Sequence, residues 1–163
     1  MNNSLLDGIG SGQLKRIIVA KIKINVDLLE AIEEIVKKEK IKRGIILGGV
    51  GALQKAIFRN MFEFPNTYPI RPENRIYLEV EKPMELVSLT GHISPKKDGT
   101  PYIHAHFSAS MVEGKTVVTM GGHLIKGNIT HVRIAVAIAE LENIPMNTRL
   151  GKLLKSYEMH IGT

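Results

Sequence analysis

At 163 residues and 44% hydrophobic content, the chain is long enough to bury the core of one domain. It has no cysteine, which excludes a disulfide framework and any thiolate metal site. The formal charge of +6 admits polyanionic partners, but without tryptophan and with 5% aromatic residues the chain offers little for stacking bases.

Residues 1–13 are polar and contain Gly and Ser, which predicts a loose arm. No basic segment followed by an apolar stretch opens the chain, so no signal peptide is expected. The most apolar run, 134–139, is too short to span a bilayer, and a cytoplasmic protein with no membrane partner is the expectation. Residues 15–24 alternate, with Ile18, Ala20, Ile22 and Ile24 on one face, and are predicted as the first strand. Asn25 or Asp27 can cap the helix that follows. Its apolar stripe is Leu28, Leu29, Ile32, Ile35 and Val36, and it ends near Lys40. Glu33 and Glu34 precede Lys37 and Lys38 by one helical turn, and cations suit a helix C-terminus, so much of the positive charge is ordinary solvated surface.

Residues 44–53 read as a strand running into the glycines Gly48, Gly49 and Gly51. No helical pattern follows them, which argues against a dinucleotide or phosphate cradle, and no cofactor-binding segment is assigned. Residues 54–59 form the next predicted strand. Residues 60–75, with Pro65, Pro69 and Pro72, form a long loop and a potential lid. Arg59, Arg71 and Arg75 flank this loop and could meet an anionic ligand, although single arginines are commonly plain surface residues. A short strand at 76–80 and a longer one at 84–93 follow, and 94–101 is a turn joining the second of these to its neighbour.

That neighbour, residues 102–111, alternates without a break. Tyr102, His104, His106, Ser108 and Ser110 share one face, and Ile103, Ala105, Phe107, Ala109 and Met111 share the other. His104 and His106 thus point the same way, about 6.5–7 Å apart at Cα, a spacing at which two imidazoles can share a metal ion. A turn at Glu113-Gly114 folds the chain back through a strand at 116–122, which brings Gly121-Gly122-His123 within reach. Three histidines without cysteine are the ligand set of an open site for zinc or a similar divalent ion. Paired histidines on a half-buried strand are also commonly plain polar neighbours. His92, near the same strand in sequence, is a reserve candidate. Residues 126–128 form a turn, and 130–141 is read as the last long strand, with a helix as competitor. Asn143-Ile144-Pro145 breaks that run. The tail from residue 146 has no clear assignment, and its segment 150–154 is a candidate for docking on the core.

Several motifs recur together: the first strand with its capped helix, the Gly48–Leu53 segment, Ser88-Leu89-Thr90-Gly91, His104-Ala105-His106, and Gly121-Gly122-His123-Leu124 followed by Gly127. In these, residues 15–141 resemble the plants-and-prokaryotes conserved (PPC) domain, which in plants follows AT-hook DNA-binding motifs. The resemblance implies a single compact α/β (α+β) domain over 14–145, with a mainly antiparallel central sheet flanked by helices, assembled as a homotrimer. It implies a metal at His104, His106 and His123, and a DNA-binding role. The plant partner-binding loop is echoed at Met84-Glu85-Leu86. An AT-hook needs an Arg-Gly-Arg-Pro core for the A·T minor groove. The nearest approach, Lys42-Arg43-Gly44, runs straight into an apolar strand.

Two functions are therefore expected. One is a trimeric protein with a three-histidine divalent-metal site that binds a small ligand or catalyses a reaction. Its catalytic residues are unassigned, with Glu85, Asp98 and Glu113 as the carboxylates nearest in sequence. The other is weak, sequence-independent DNA binding through electrostatic contacts.

Overall fold

Period-two alternation dominates the chain, and the computed structural model, which describes residues 5–151 and 154–162, is accordingly built on a sheet. The elements are β1 (Gln13–Ile22), α1 (Leu28–Lys38), β2 (Gly44–Val50), β3 (Ala52–Met61), β4 (Arg75–Val80), β5 (Met84–Pro95), β6 (Pro101–Glu113), β7 (Thr116–His123), β8 (Ile129–Thr130), β9 (Ile134–Glu142), β10 (Met146–Leu150) and β11 (Tyr157–Ile161). The main sheet runs β1-β9-β2-β5-β6-β7-β3-β4, with β8 against β3, and its pairings are antiparallel. A second, two-stranded sheet is the β10–β11 hairpin.

The expected α/β (α+β) architecture with flanking helices is corrected here. Strands take 56% of the chain and helix 9%, and α1 is the single α-helix among the described residues. Only 28–38 carries an apolar stripe at helical spacing, so only there can a helix bury one face. The sheet covers itself instead. Strand β3 pairs with β7 at Arg59↔His123 and with β5 at Ala52↔Glu85 and Leu53↔Met84, so β5, β6, β7 and β3 close into a ring. The 134–139 run, where a helix competed, lies in β9 between β1 and β2, and Ile134, Val136 and Ile138 are buried. The long strand read over 130–141 is split. Thr130 sits in β8, where its hydroxyl donates to the Lys23 carbonyl at 2.7 Å and its own carbonyl accepts from the Asn25 N–H at 2.9 Å.

Helix α1 packs Leu28, Ile32 and Val36 into the core, with Ile46, Leu53, Phe58, Leu89, Phe107, Ile134 and Ile138. Phe58 and Phe107 stack with ring centroids 5.1 Å apart. Each such side chain contributes on the order of 1.5–3 kcal/mol by leaving water. Asp27 is the cap, its carboxylate accepting from the Glu30 N–H at 3.0 Å. Asn25 instead accepts from the Gln54 side chain at 2.9 Å. Of the anticipated helix pairs, Glu34–Lys38 forms, at 2.6 Å.

Strand β3 runs two residues into the predicted loop, as far as Met61. Buried Asn74 pins the far end of that loop. Its carbonyl accepts from the Phe62 N–H at 2.8 Å and its side chain accepts from the Arg71 N–H at 2.9 Å. The tail docks through Met146, which is buried, and through Thr148, whose hydroxyl meets that of Ser94 at 2.5 Å. Leu150, in the segment expected to dock, is exposed. Lys152 and Leu153 of that segment, like residues 1–4 of the predicted arm, lie outside the described residues.

Candidate metal centre

Three local features position the histidines. First, β6 alternates as its sequence demands: Ala105, Phe107, Ala109 and Met111 are buried, so His104 and His106 point away from that core. Second, β5 lies very close to β6 at Gly91, where an added Cβ would sit 2.3 Å from the His104 carbonyl oxygen. A glycine is therefore required there, and the close approach sets His92 opposite His104. Third, β7 crosses β3 at Gly122, where a Cβ would lie 2.8 Å from the Arg59 carbonyl oxygen. The Asn60 side chain donates to the neighbouring Gly121 carbonyl at 2.8 Å and holds this crossing.

The result is one lateral row across the sheet. His106 pairs with His123, and His123 pairs with Arg59. Ring centroids lie 4.7 Å apart for His104–His123, 5.1 Å for His106–His123 and 5.3 Å for His104–His106. One potential ligand nitrogen from each of the three falls within 4.8 Å of the other two. His123 Nδ1 and His106 Nε2 are 3.4 Å apart. Two nitrogens bound at ~2.0–2.1 Å around a tetrahedral ion stand roughly 3.3 Å apart, so this pair is already at ligand spacing.

The protonation state of the cluster suits ligation by neutral donors. Burial first, then the nearby His92, His106 and Arg59, push His104 down to about 4. Burial, then Arg59 and the other two histidines, push His123 down to about 3. Burial and Arg59 also lower His106. All three imidazoles are therefore neutral at pH 7, the form that ligates a metal. The residues present fit a divalent ion.

His92 is placed beside the cluster rather than in it. Its ring lies 5.2 Å from that of His104, edge-on, its Nε2 is buried without a hydrogen-bond partner, and burial lowers its pKa. The three carboxylates nearest in sequence are not brought in. Glu85 pairs with Ser110 toward the far end of β6, Glu113 is bound by Lys82 at 2.5 Å, and Asp98 caps its own turn by accepting from Thr100.

The cluster opens into a cleft of about 620 Å³. Arg59, Arg75, Tyr102, Ser156 and Tyr157 line it beside the histidines, and no Asp or Glu does so among the described residues. Tyr102 and Tyr157 lie 5.2 Å apart, with the Lys96 ammonium 4.7 Å from the Tyr157 ring. Arg59 and Arg75 are brought to the site from among the three arginines noted in the sequence, whereas Arg71 stays outside it, exposed and 4.0 Å from Glu73. Ser156 and Tyr157 carry no signal in the sequence, because they arrive only when the β10–β11 hairpin folds back.

The sequence profile of the Plants and Prokaryotes Conserved (PCC) domain matches residues 9–142. No curated protein matches the chain. Among solved structures, a metal-containing protein from Archaeoglobus fulgidus is similar at 20% identity and a TM-score of 0.72, over 92% of this chain and 96% of that one. A PPC protein from Pyrococcus horikoshii is similar at 28% identity and a TM-score of 0.66, over 91% and 92%. A candidate DNA-binding protein from Bacteroides thetaiotaomicron is similar at 17% identity and a TM-score of 0.71, over 93% and 97%. The antiparallel sheet and the profile match over most of its length together establish that this chain belongs to the Plants and Prokaryotes Conserved domain family.

Proposed function

We propose that the protein is a small-ligand-binding metalloprotein in which His104, His106 and His123 hold one divalent ion, zinc foremost. The observation that carries this is the set of three neutral imidazoles with ligand atoms within 4.8 Å of one another. The metal-containing relative from Archaeoglobus fulgidus supports it. Zinc ranks first because borderline imidazole donors in a three-ligand set suit it. A bound ion would keep an open position at which a water or an oxygen of a ligand is polarised. With no carboxylate lining the cleft among the described residues, we assign the site to binding rather than to hydrolysis. In this reading the protein acts in the cytoplasm as a homotrimer. Strands β1, β2 and β5 expose Ile17, Val19, Leu47, Val50 and Val87, apolar surface that a second copy can cover.

The test is elemental analysis of protein purified without a histidine tag. About one divalent ion per chain is expected, by the three-ligand logic. A His104→Ala/His106→Ala double variant should lose it and keep its circular dichroism. Full occupancy in that variant would refute the assignment. Light scattering of the same sample should report about three times the 18.1 kDa chain mass.

A second function is favoured by one specific feature. Lys37, Lys40 and Lys42 rim a second cleft under α1 that shares Tyr102 and His123 with the histidine cleft, and among the described residues none of the three lysines makes an ion pair. We infer weak DNA binding there, without base recognition. Its affinity should fall with salt at a log–log slope near −0.9 per neutralised phosphate, and random duplex should compete fully. Binding of one A·T-rich site a thousandfold above random duplex would refute it.

A further inference from the structure

Two cations in the histidine cleft have no counter-charge. Arg59 and Arg75 are both half-buried, both line the cleft, and among the described residues neither makes an ion pair or a side-chain hydrogen bond. This contrasts with Arg16, which lies between Glu39 at 2.9 Å and Glu140 at 2.6 Å. The sheet register places the pair deliberately close to the histidines. Arg59 is directly opposite His123, and Arg75 is opposite Met61, two residues along the same strand from Arg59 and so on the same face. Arg59 is felt electrostatically by His104, His106 and His123, and Arg75 by His123 and by Arg59.

Removing a guanidinium from water without an acceptor is costly, and two of them side by side repel. A divalent ion on three neutral imidazoles adds two more positive charges to the same cleft. No Asp or Glu lines it among the described residues to offset them. Such a site is completed by an anion that arrives from outside. The planar, forked donors of Arg match the paired oxygens of a carboxylate or a phosphate.

We propose that Arg59 and Arg75 form an oxyanion subsite, so that the ligand of the cleft is a small molecule bearing a carboxylate or phosphate group, held between the two guanidiniums and the histidine centre. This rests on the binding function proposed above and names the ligand class. The wall formed by Tyr102 and Tyr157 lies beside the subsite and can take the remainder of the ligand.

The test uses the full chain, metal-free and zinc-loaded, with calorimetric titration of inorganic phosphate in one arm and oxalate in the other. Wild type should bind at least one of the two, and the arm that binds more tightly identifies phosphate or carboxylate. Arg59→Gln and Arg75→Gln should each weaken that binding about tenfold or more, the loss expected for one charge-assisted contact. Arg59→Lys should restore part of it. Arg71→Gln, outside the cleft, should bind as wild type does. Metal content should be unchanged or higher in the glutamine variants, because a repelling charge has gone. The proposal is overturned if both glutamine variants bind the anion as tightly as wild type, or if zinc-loaded wild type binds neither. The same is true if the arginine variants lose their assembly while wild type takes no anion, which would mean that a second copy supplies the counter-charge. Should no form of the protein hold a metal, the metal-free arm still decides the subsite, and the two ideas fail or stand separately.

Discussion

Replacing Gly122 by alanine should damage the candidate centre more than it damages the fold. The added Cβ would lie 2.8 Å from the Arg59 carbonyl oxygen and 3.1 Å from both the Arg59 nitrogen and the Asn60 side-chain nitrogen. Two of those three neighbours are backbone and cannot rotate aside. Ordinary contact begins at 3.4 Å, so β3 and β7 must part by roughly 0.6 Å at their one paired position, Arg59↔His123. Forced overpacking of this kind costs about 1–3 kcal/mol, and the lower chain entropy of alanine in the unfolded state returns about 0.4–1. A net loss of roughly 0–2.6 kcal/mol is therefore expected, which for a chain of this size lowers Tm by at most about 10 °C. His123 moves with the strand, and a displaced supporting shell typically weakens metal binding about 10–100-fold. Competitive chelation with a zinc indicator measures the affinity, and calorimetry measures Tm. Gly48→Ala is the control, because nothing lies within 4 Å of a Cβ there. Wild-type zinc affinity in the Gly122→Ala variant, or an equal loss in Gly48→Ala, would refute the reasoning.

The depressed histidines predict a pH window for metal-free protein. His104 at about 4 and His123 at about 3 bind fewer protons folded than unfolded, where the ordinary value is 6.5. Their contribution is therefore complete above pH 6.5 and is lost as pH falls toward about 4 and then about 3. Urea unfolding at a series of pH values should show it, and a His104→Ala/His123→Ala variant should show a flatter profile; identical profiles would exclude it. Glu140 provides a second case. Burial opposes its charge, but hydrogen bonds and attraction from Arg16 and Lys15 more than offset that and hold its pKa below the usual carboxylate value. A Lys15→Met/Arg16→Met double variant should be less stable than wild type at pH 7, because the Glu140 carboxylate loses both partners, and should recover part of that loss in acid as Glu140 protonates. A loss that does not depend on pH would place the cause in packing instead.

Much of the site was legible because strands have a period of two. His104 and His106 had to share a face once Ala105, Phe107, Ala109 and Met111 were assigned to the core, and a hairpin through Glu113-Gly114 had to bring residue 123 back toward residue 106. The helix was legible for a parallel reason, since 28–38 is the one stretch whose apolar residues recur at helical spacing and follow a capping aspartate. Local pattern cannot say how a sheet covers its second face. The resemblance suggested a sheet flanked by helices, whereas β3 returns to pair with both β7 and β5 and closes a ring. That closure depends on contacts between residues far apart in the chain, and it decides the chemistry of the cleft. It sets Arg59 opposite His123, carries Arg75 in on β4, and brings Tyr157 across on the terminal hairpin, while Glu85, Asp98 and Glu113 are directed elsewhere. The shared face of His104 and His106 was thus determined by sequence, through the fixed alternation of a strand. The charge around them was decided by tertiary structure alone, because which strands become neighbours depends on the packing of the whole sheet.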